Sequence, residues 1–135
     1  MLVATRRALV RRLSQYDPVV EIGIGRRTEV ARDLAIAGVD VTATDIHERA
    51  VPSNVRFVLD DVTSPDRSIY TDASVLYALN LPPELHRPAL DLATAVDAQF
   101  LFTTLGTDQP QVPVERQSIP GDTLYLTRRD DNAPL

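Results

Sequence analysis

Apolar positions along this chain alternate between two spacings, one near 3.6 residues and one continuous or β-branched. Leu2, Val3, Leu9, Val10, Leu13 and Tyr16 recur at helical spacing, with Arg6, Arg7, Arg11 and Arg12 between them. That pattern predicts an amphipathic helix over residues 2–15, inside an N-terminal segment 1–16. Asp17-Pro18 ends it, because proline disfavours the helical conformation of the residue before it. Val19-Val20-Glu21-Ile22 is then a short, mostly β-branched run stopped by Gly23, which reads as a buried strand. Thr28 stands where an N-cap would, and Val30, Ala31, Leu34, Ala35 and Ala37 form one helical face before Gly38.

The alternation continues. Strands are predicted at residues 39–44, closed by Asp45, at 55–59, followed by Asp60-Asp61, and at 74–79, ending at Asn80. Residues 83–96 predict a helix with Pro83 in its first turn, and Pro88 should delay its regular start or kink it. Residues 100–105 predict a fifth strand. Two last segments, 114–118 and 123–128, are joined by Ile119-Pro120-Gly121-Asp122, a hairpin signature.

Strands separated by helical crossovers imply a parallel sheet with right-handed connections. The expected fold is therefore α/β, a Rossmann-like three-layer sandwich whose mostly parallel twisted sheet carries a C-terminal antiparallel hairpin. At 135 residues one domain spanning 1–135 is expected, with 130–135 as a frayed tail.

Composition narrows the chemistry. The chain has no cysteine, which removes a thiolate zinc site and a cysteine nucleophile, and only His47 and His86 as histidines, so no metal site is expected. A net charge of −5 argues against nonspecific nucleic-acid binding, which needs a basic footprint. No apolar run is long enough for a membrane span, and the basic first twelve residues lack the apolar core of a secretory signal. A cytoplasmic location is the expectation. All 14 basic residues are arginine, and 14 of the 19 acidic residues are aspartate. Such a composition is similar to that of proteins from salt-loving cytoplasms, although a GC-rich genome exchanges Lys for Arg in the same way.

In an open α/β sheet, ligands bind beyond the carboxyl ends of the strands, where strand order reverses. There the first strand carries Glu21-Ile22-Gly23-Ile24-Gly25, whose glycines permit a tight turn and close ligand approach. Asp45 ends the next strand 20 residues after Gly25, a spacing that suits a carboxylate accepting both ribose hydroxyls of a nucleoside. It is expected at the open mouth of the crevice. A dinucleotide site usually has a third glycine where Thr28 stands, and Glu21 would repel a pyrophosphate but attract an ammonium group. Arg26 and Arg27 could hold phosphate, or bridge as a solvated pair to Glu29 and Asp33.

These residues carry a family resemblance. Glu21-Ile22-Gly23-Ile24-Gly25, Asp45 and Asp61-Val62 resemble the cofactor-binding motifs of class I S-adenosylmethionine-dependent methyltransferases, over about residues 17–128. More narrowly, the short chain with Leu81-Pro82-Pro83-Glu84-Leu85 following the Asn80 strand end resembles the small archaeal family UPF0146. The methyltransferase resemblance implies that Gly23 and Gly25 line the methionine moiety, Glu21 orients its amino group, Asp45 holds the ribose, and Asp61 with Val62 flanks the adenine. Asn80 falls where amino-methyltransferases carry Asn-Pro-Pro and an aromatic residue. Here one residue is inserted and the aromatic is missing, which argues against an amine acceptor.

The expected function is thus an S-adenosylmethionine-binding, methyltransferase-like domain, working as a minimal methyltransferase on an acceptor the sequence does not name. Alternatives are a non-catalytic Rossmann domain with a structural or regulatory ligand, and an NAD- or nucleotide-binding domain. No catalytic residue is assigned. His86 is a candidate general base or a surface histidine, His47 lies in a loop, and Tyr77 reads as core. The loops at 60–71 and 80–88 are long enough to wall a substrate site, and a second subunit of a homo-oligomer could add another wall.

Overall fold

The computed structural model describes residues 1–127. The expected end of the last strand at Arg128 and the expected tail at 130–135 lie outside the described residues.

Three helices and seven strands follow one another as α1 (Val3–Leu13), β1 (Val19–Ile22), α2 (Glu29–Ile36), β2 (Val41–Asp45), β3 (Arg56–Leu59), β4 (Val75–Ala78), α3 (His86–Ala95), β5 (Gln99–Phe102), β6 (Val114–Ile119) and β7 (Asp122–Thr127). One sheet holds all the strands in the order β3-β2-β1-β4-β5-β7-β6. The first five are parallel, while β7 runs antiparallel to β5 and to β6. The Rossmann-like α/β sandwich with a terminal hairpin is therefore the fold.

Strand parity divides the core into two layers, because alternate side chains leave opposite faces of a sheet. Val19, Val41, Ala43, Val75, Tyr77 and Leu101 face α1 and α2, where Leu9, Leu13, Val30, Ala31 and Leu34 cover them. Val20, Ile22, Leu76, Ala78, Phe100 and Phe102 face α3, covered by Ala89, Leu92 and Ala93. Burial on both faces explains why β1, β2 and β4 are buried at every position.

Pro88 is the third residue of α3, so its missing N–H falls in the first turn, where no intrahelical partner exists. A 3-10 turn, Pro83–Leu85, fills the delay before α3 begins. Thr28 does precede α2, but its hydroxyl makes no capping bond. The helical alternation lapses between β2 and β3, and only a 3-10 turn, Arg67–Ile69, lies between β3 and β4. Those segments carry Pro52 and Pro65 and fold on local bonds instead. Asp61 accepts from Thr63, and Asp66 from Ser68, as such side chains do when they compete with helix.

Candidate functional site

β1 is central, with β2 on one side and β4 on the other, so the chain emerging from it lies where strand order reverses. Gly23 and Gly25 take φ of +67° and +59°, a left-handed conformation that side chains with a Cβ resist. The turn is stitched to β2. The N–H groups of Gly23 and Ile24 both donate to Thr44 O, at 2.9 and 3.1 Å, and Gly25 N–H donates to Asp45 Oδ2 at 2.8 Å. A cavity of about 250 Å³ opens above it, lined by Glu21, residues 23–27, Leu79, Asn80 and Met1.

Glu21 forms the floor of this cavity and is 1% exposed. Its parity turns the side chain toward the α1–α2 layer, where Tyr77 Oη donates to Oε1 at 2.7 Å. Burial is the main cause that pushes the Glu21 carboxyl up to about 8. The Tyr77 bond pulls it partly back, and the Glu29 charge raises it further. Oε2 accepts no hydrogen bond among the described residues, so the carboxyl keeps one open oxygen. Tyr77 is core by burial, as expected, but its hydroxyl is part of the site. Burial and the adjoining carboxyl hold its phenol well above the ordinary range.

Asp45 is not at an open mouth: it is 7% exposed. Besides the bond from Gly25, its Oδ1 accepts from His47 N–H at 2.9 Å and lies 3.4 Å from Arg49 Nε. Burial works against its charge, but the His47 and Gly25 N–H groups and the Arg49 guanidinium outweigh burial and hold the carboxyl below the usual range. The carboxylate thus ties the glycine turn to the end of β2.

Asn80, two residues beyond β4, takes φ +54°, which asparagine tolerates, and its N–H donates to Thr103 Oγ1 at 2.9 Å. Glu21, Gly23, Gly25 and Asn80 therefore meet in one cavity, with Asp45 one hydrogen bond behind it. Asp61 and Val62 are not among its walls. Asp61 is engaged by Thr63, whose hydroxyl and N–H lower its carboxyl below the ordinary value, and Val62 is buried in the α3 layer.

Two further expectations need correction. His86 is neither on the surface nor placed as a base, being fully buried. Gln111 N–H donates to its Nδ1 at 3.0 Å, so the ring is the tautomer that donates from Nε2 to Leu81 O at 2.9 Å. Both nitrogens are spent on joining two loops. Arg26 and Arg27 do not bridge to Glu29 and Asp33. Asp33 is paired instead with Arg6 and Arg32, at 3.2 and 3.1 Å.

Sequence reasoning passed over Asp60, Tyr70 and Ile46. The Tyr70 hydroxyl donates to Asp60 Oδ2 and lies 3.3 Å from Thr44 Oγ1, bracing the ends of β2 and β3. Ile46 is 61% exposed directly after Asp45. An apolar residue following a strand-end acid was the available signal. Among the described residues no group of three or more His, Asp or Glu side chains is arranged to hold a metal, and no helix is long and apolar enough to cross a membrane. Another cavity, of about 330 Å³, lies over Val20, Thr42 and Val58, toward the amino ends of the strands and away from the glycine turn.

The profile of the Uncharacterised protein family (UPF0146) matches residues 4–129. The chain belongs to this family. UPF0146 proteins of Halobacterium salinarum and Archaeoglobus fulgidus are 49% and 42% identical to it. The matches cover 86% and 84% of this chain and 91% and 85% of those proteins. Among solved structures, an RNA methyltransferase from Salinibacter ruber in complex with S-adenosyl-L-homocysteine superposes with a TM-score of 0.69 at 16% identity. That match covers 99% of this chain and 95% of the other. A TehB-like SAM-dependent methyltransferase from Corynebacterium glutamicum gives 0.61 at 16% identity, covering 93% and 86%. This UPF0146 chain therefore has a methyltransferase-like fold.

Proposed function

We propose that the crevice above Gly23 and Gly25 binds S-adenosylmethionine, making this UPF0146 protein a minimal methyltransferase-like domain. The observation that carries the reading is Glu21, a buried carboxyl that lines a cavity at the switch point of the sheet and has only Oε1 engaged, by Tyr77, among the described residues. Such a group in that place suits the ammonium of an amino acid and opposes a pyrophosphate. Gly23, Gly25 and Asn80 would then surround the methionine arm. Asp45 would accept the ribose hydroxyls through lone pairs not used by Gly25 and His47, and exposed Ile46 would offer an apolar face to the base. Asp61 and Val62 would reach the adenine from the loop that follows β3. The bound group supplies an electrophilic methyl, and the chain's part is alignment, since no histidine lines the cavity among the described residues.

One observation favours a second reading, in which the nucleoside is a structural or regulatory ligand. The crossovers at 46–55 and 60–74 hold no α-helix, leaving little chain to wall an acceptor. The acceptor side then falls to the segment from Asn80 to Pro88 or to a second subunit.

Calorimetric titration with S-adenosylhomocysteine, beside NAD and ATP, tests the proposal. S-Adenosylhomocysteine should bind most tightly. Tighter binding of NAD or ATP would replace the reading with a nucleotide-binding one, and failure of all three would remove the ligand altogether.

A further inference from the structure

Glu21 and Tyr77 make a buried polar pair that a sheet face otherwise filled with Val, Ala and Leu does not require. An acid of that size inside an apolar layer costs stability unless its state answers a need. Its surroundings are specific. Tyr77 approaches from β4 and donates to Oε1, Oε2 accepts no hydrogen bond among the described residues, and Glu21 lines the cavity. The charged groups around the pair are few. Glu29 on α2 sets a negative charge near the carboxyl, Arg26 and Arg27 stand exposed on the turn, and Arg6 on α1 is neutralised by Asp33. Met1 lines the cavity rim. Among the described residues no cation forms an ion pair with Glu21.

We propose that Glu21, positioned by the Tyr77 hydroxyl, is a protonated acid in the free protein and gives up that proton when a ligand's ammonium group enters the cavity. The inference rests on the nucleoside reading above and adds a selection rule to it. The step balances simply: the Glu21 O–H bond breaks, the proton goes to solvent, and the ammonium takes its place beside the carboxylate. The Tyr77 hydroxyl keeps donating to Oε1 throughout, so the carboxylate that remains is half-solvated by protein before the ligand arrives. The carboxyl's position at about 8 places this exchange at neutral pH. Binding of an ammonium-bearing ligand then strengthens by up to about tenfold per pH unit as pH rises toward that value. A nucleoside without the ammonium draws no proton from the site.

Two measurements test this. In the first, S-adenosylhomocysteine and 5′-methylthioadenosine, the same thioether nucleoside without its amino-acid arm, are titrated at pH 7 in buffers of different ionisation heat. S-Adenosylhomocysteine should release close to one proton, 5′-methylthioadenosine none, and Glu21→Gln should abolish the release. In the second, the carboxyl carbon of Glu21 is followed by NMR through a pH titration of the free protein. Its midpoint should lie near 8. Tyr77→Phe should move both that midpoint and the pH profile of binding upward, a shift that a merely space-filling tyrosine would not cause. Binding of S-adenosylhomocysteine without proton release overturns this inference and leaves the cofactor reading standing. Absence of binding at every pH overturns both. An ordinary midpoint near 4.5 for Glu21 overturns the inference whatever the ligands do.

Discussion

Gly25 N–H donates a 2.8 Å hydrogen bond to Asp45 Oδ2, so the glycine turn after β1 is held by the last residue of β2. The bond gives Asp45 a structural duty before any ligand is present. It also presets the turn. A nucleoside that used the same carboxylate would join an existing network rather than create one.

Asp45→Ala should therefore destabilise the fold, by about 1–3 kcal/mol for two lost backbone bonds to a charged acceptor. If Asp45 also accepts ribose hydroxyls, affinity for S-adenosylhomocysteine should drop about 10-fold or more after correction for the folded fraction. A urea melt and a titration on the same variant separate the two duties. Lost stability with unchanged affinity would confine Asp45 to the turn.

Glu21 makes stability depend on pH in an unusual direction. Its carboxyl releases its proton near 4.5 when unfolded and near 8 when folded, so between those values folding takes up a proton. The stabilisation is complete below the lower value and is lost as pH rises through the upper one. The slope can reach about 1.4 kcal/mol per pH unit. Wild-type protein should melt progressively lower from pH 5.5 to pH 8, and Glu21→Gln should flatten most of that fall. A parallel fall in the variant would assign the slope to other groups.

His86 serves packing and joins loops. Its ring lies 4.6 Å from that of Phe102, and its nitrogens hold Leu81 O and Gln111 N–H. His86→Ala should cost about 3–5 kcal/mol, through a cavity and two unpaired backbone groups. Ligand affinity of the folded fraction should change less than about twofold. An affinity loss without a stability loss, measured by denaturation and calorimetry, would return His86 to the candidate site.

Gly121 sits in the β6–β7 turn with φ +74°, and a Cβ there would come within 2.9 Å of Leu2 Cδ1 and Thr5 Oγ1. Gly121→Ala should combine backbone strain with displacement of the start of α1, at about 1–3 kcal/mol. Hydrogen exchange should show the added opening in α1 rather than in α3. Equal effects on both helices would contradict a local contact.

What was legible in the sequence had local causes. Gly38 followed α2, Pro88 deferred α3, and Pro120-Gly121 turned the hairpin, while α1 stopped at Leu13, before Asp17-Pro18 was reached. The glycine turn and the strand-end acid were visible for the same reason, as each reads from its neighbours. What escaped depended on partners far along the chain. Tyr77 reads as core because strand parity says nothing of a hydroxyl whose acceptor lies 56 residues earlier. His86 reads as surface because Gln111, 25 residues on, supplies the donor that fixes its ring. Between β2 and β3 and between β3 and β4 no helical periodicity is legible, and Pro52, Pro65 and the run of aspartates favour the turns found there.

The hydroxyl of Thr5 donates to the carbonyl of Pro120, 115 residues away. During synthesis α1 leaves the ribosome well before the turn that anchors it. Leu9 and Leu13 likewise share their core cluster with Leu101 of β5 and Leu124 of β7, far along the chain. Contacts of such separation form slowly, because the loop between them must close before they repay its entropy. The arginine-rich α1 meets α2 early and the β6–β7 hairpin only later.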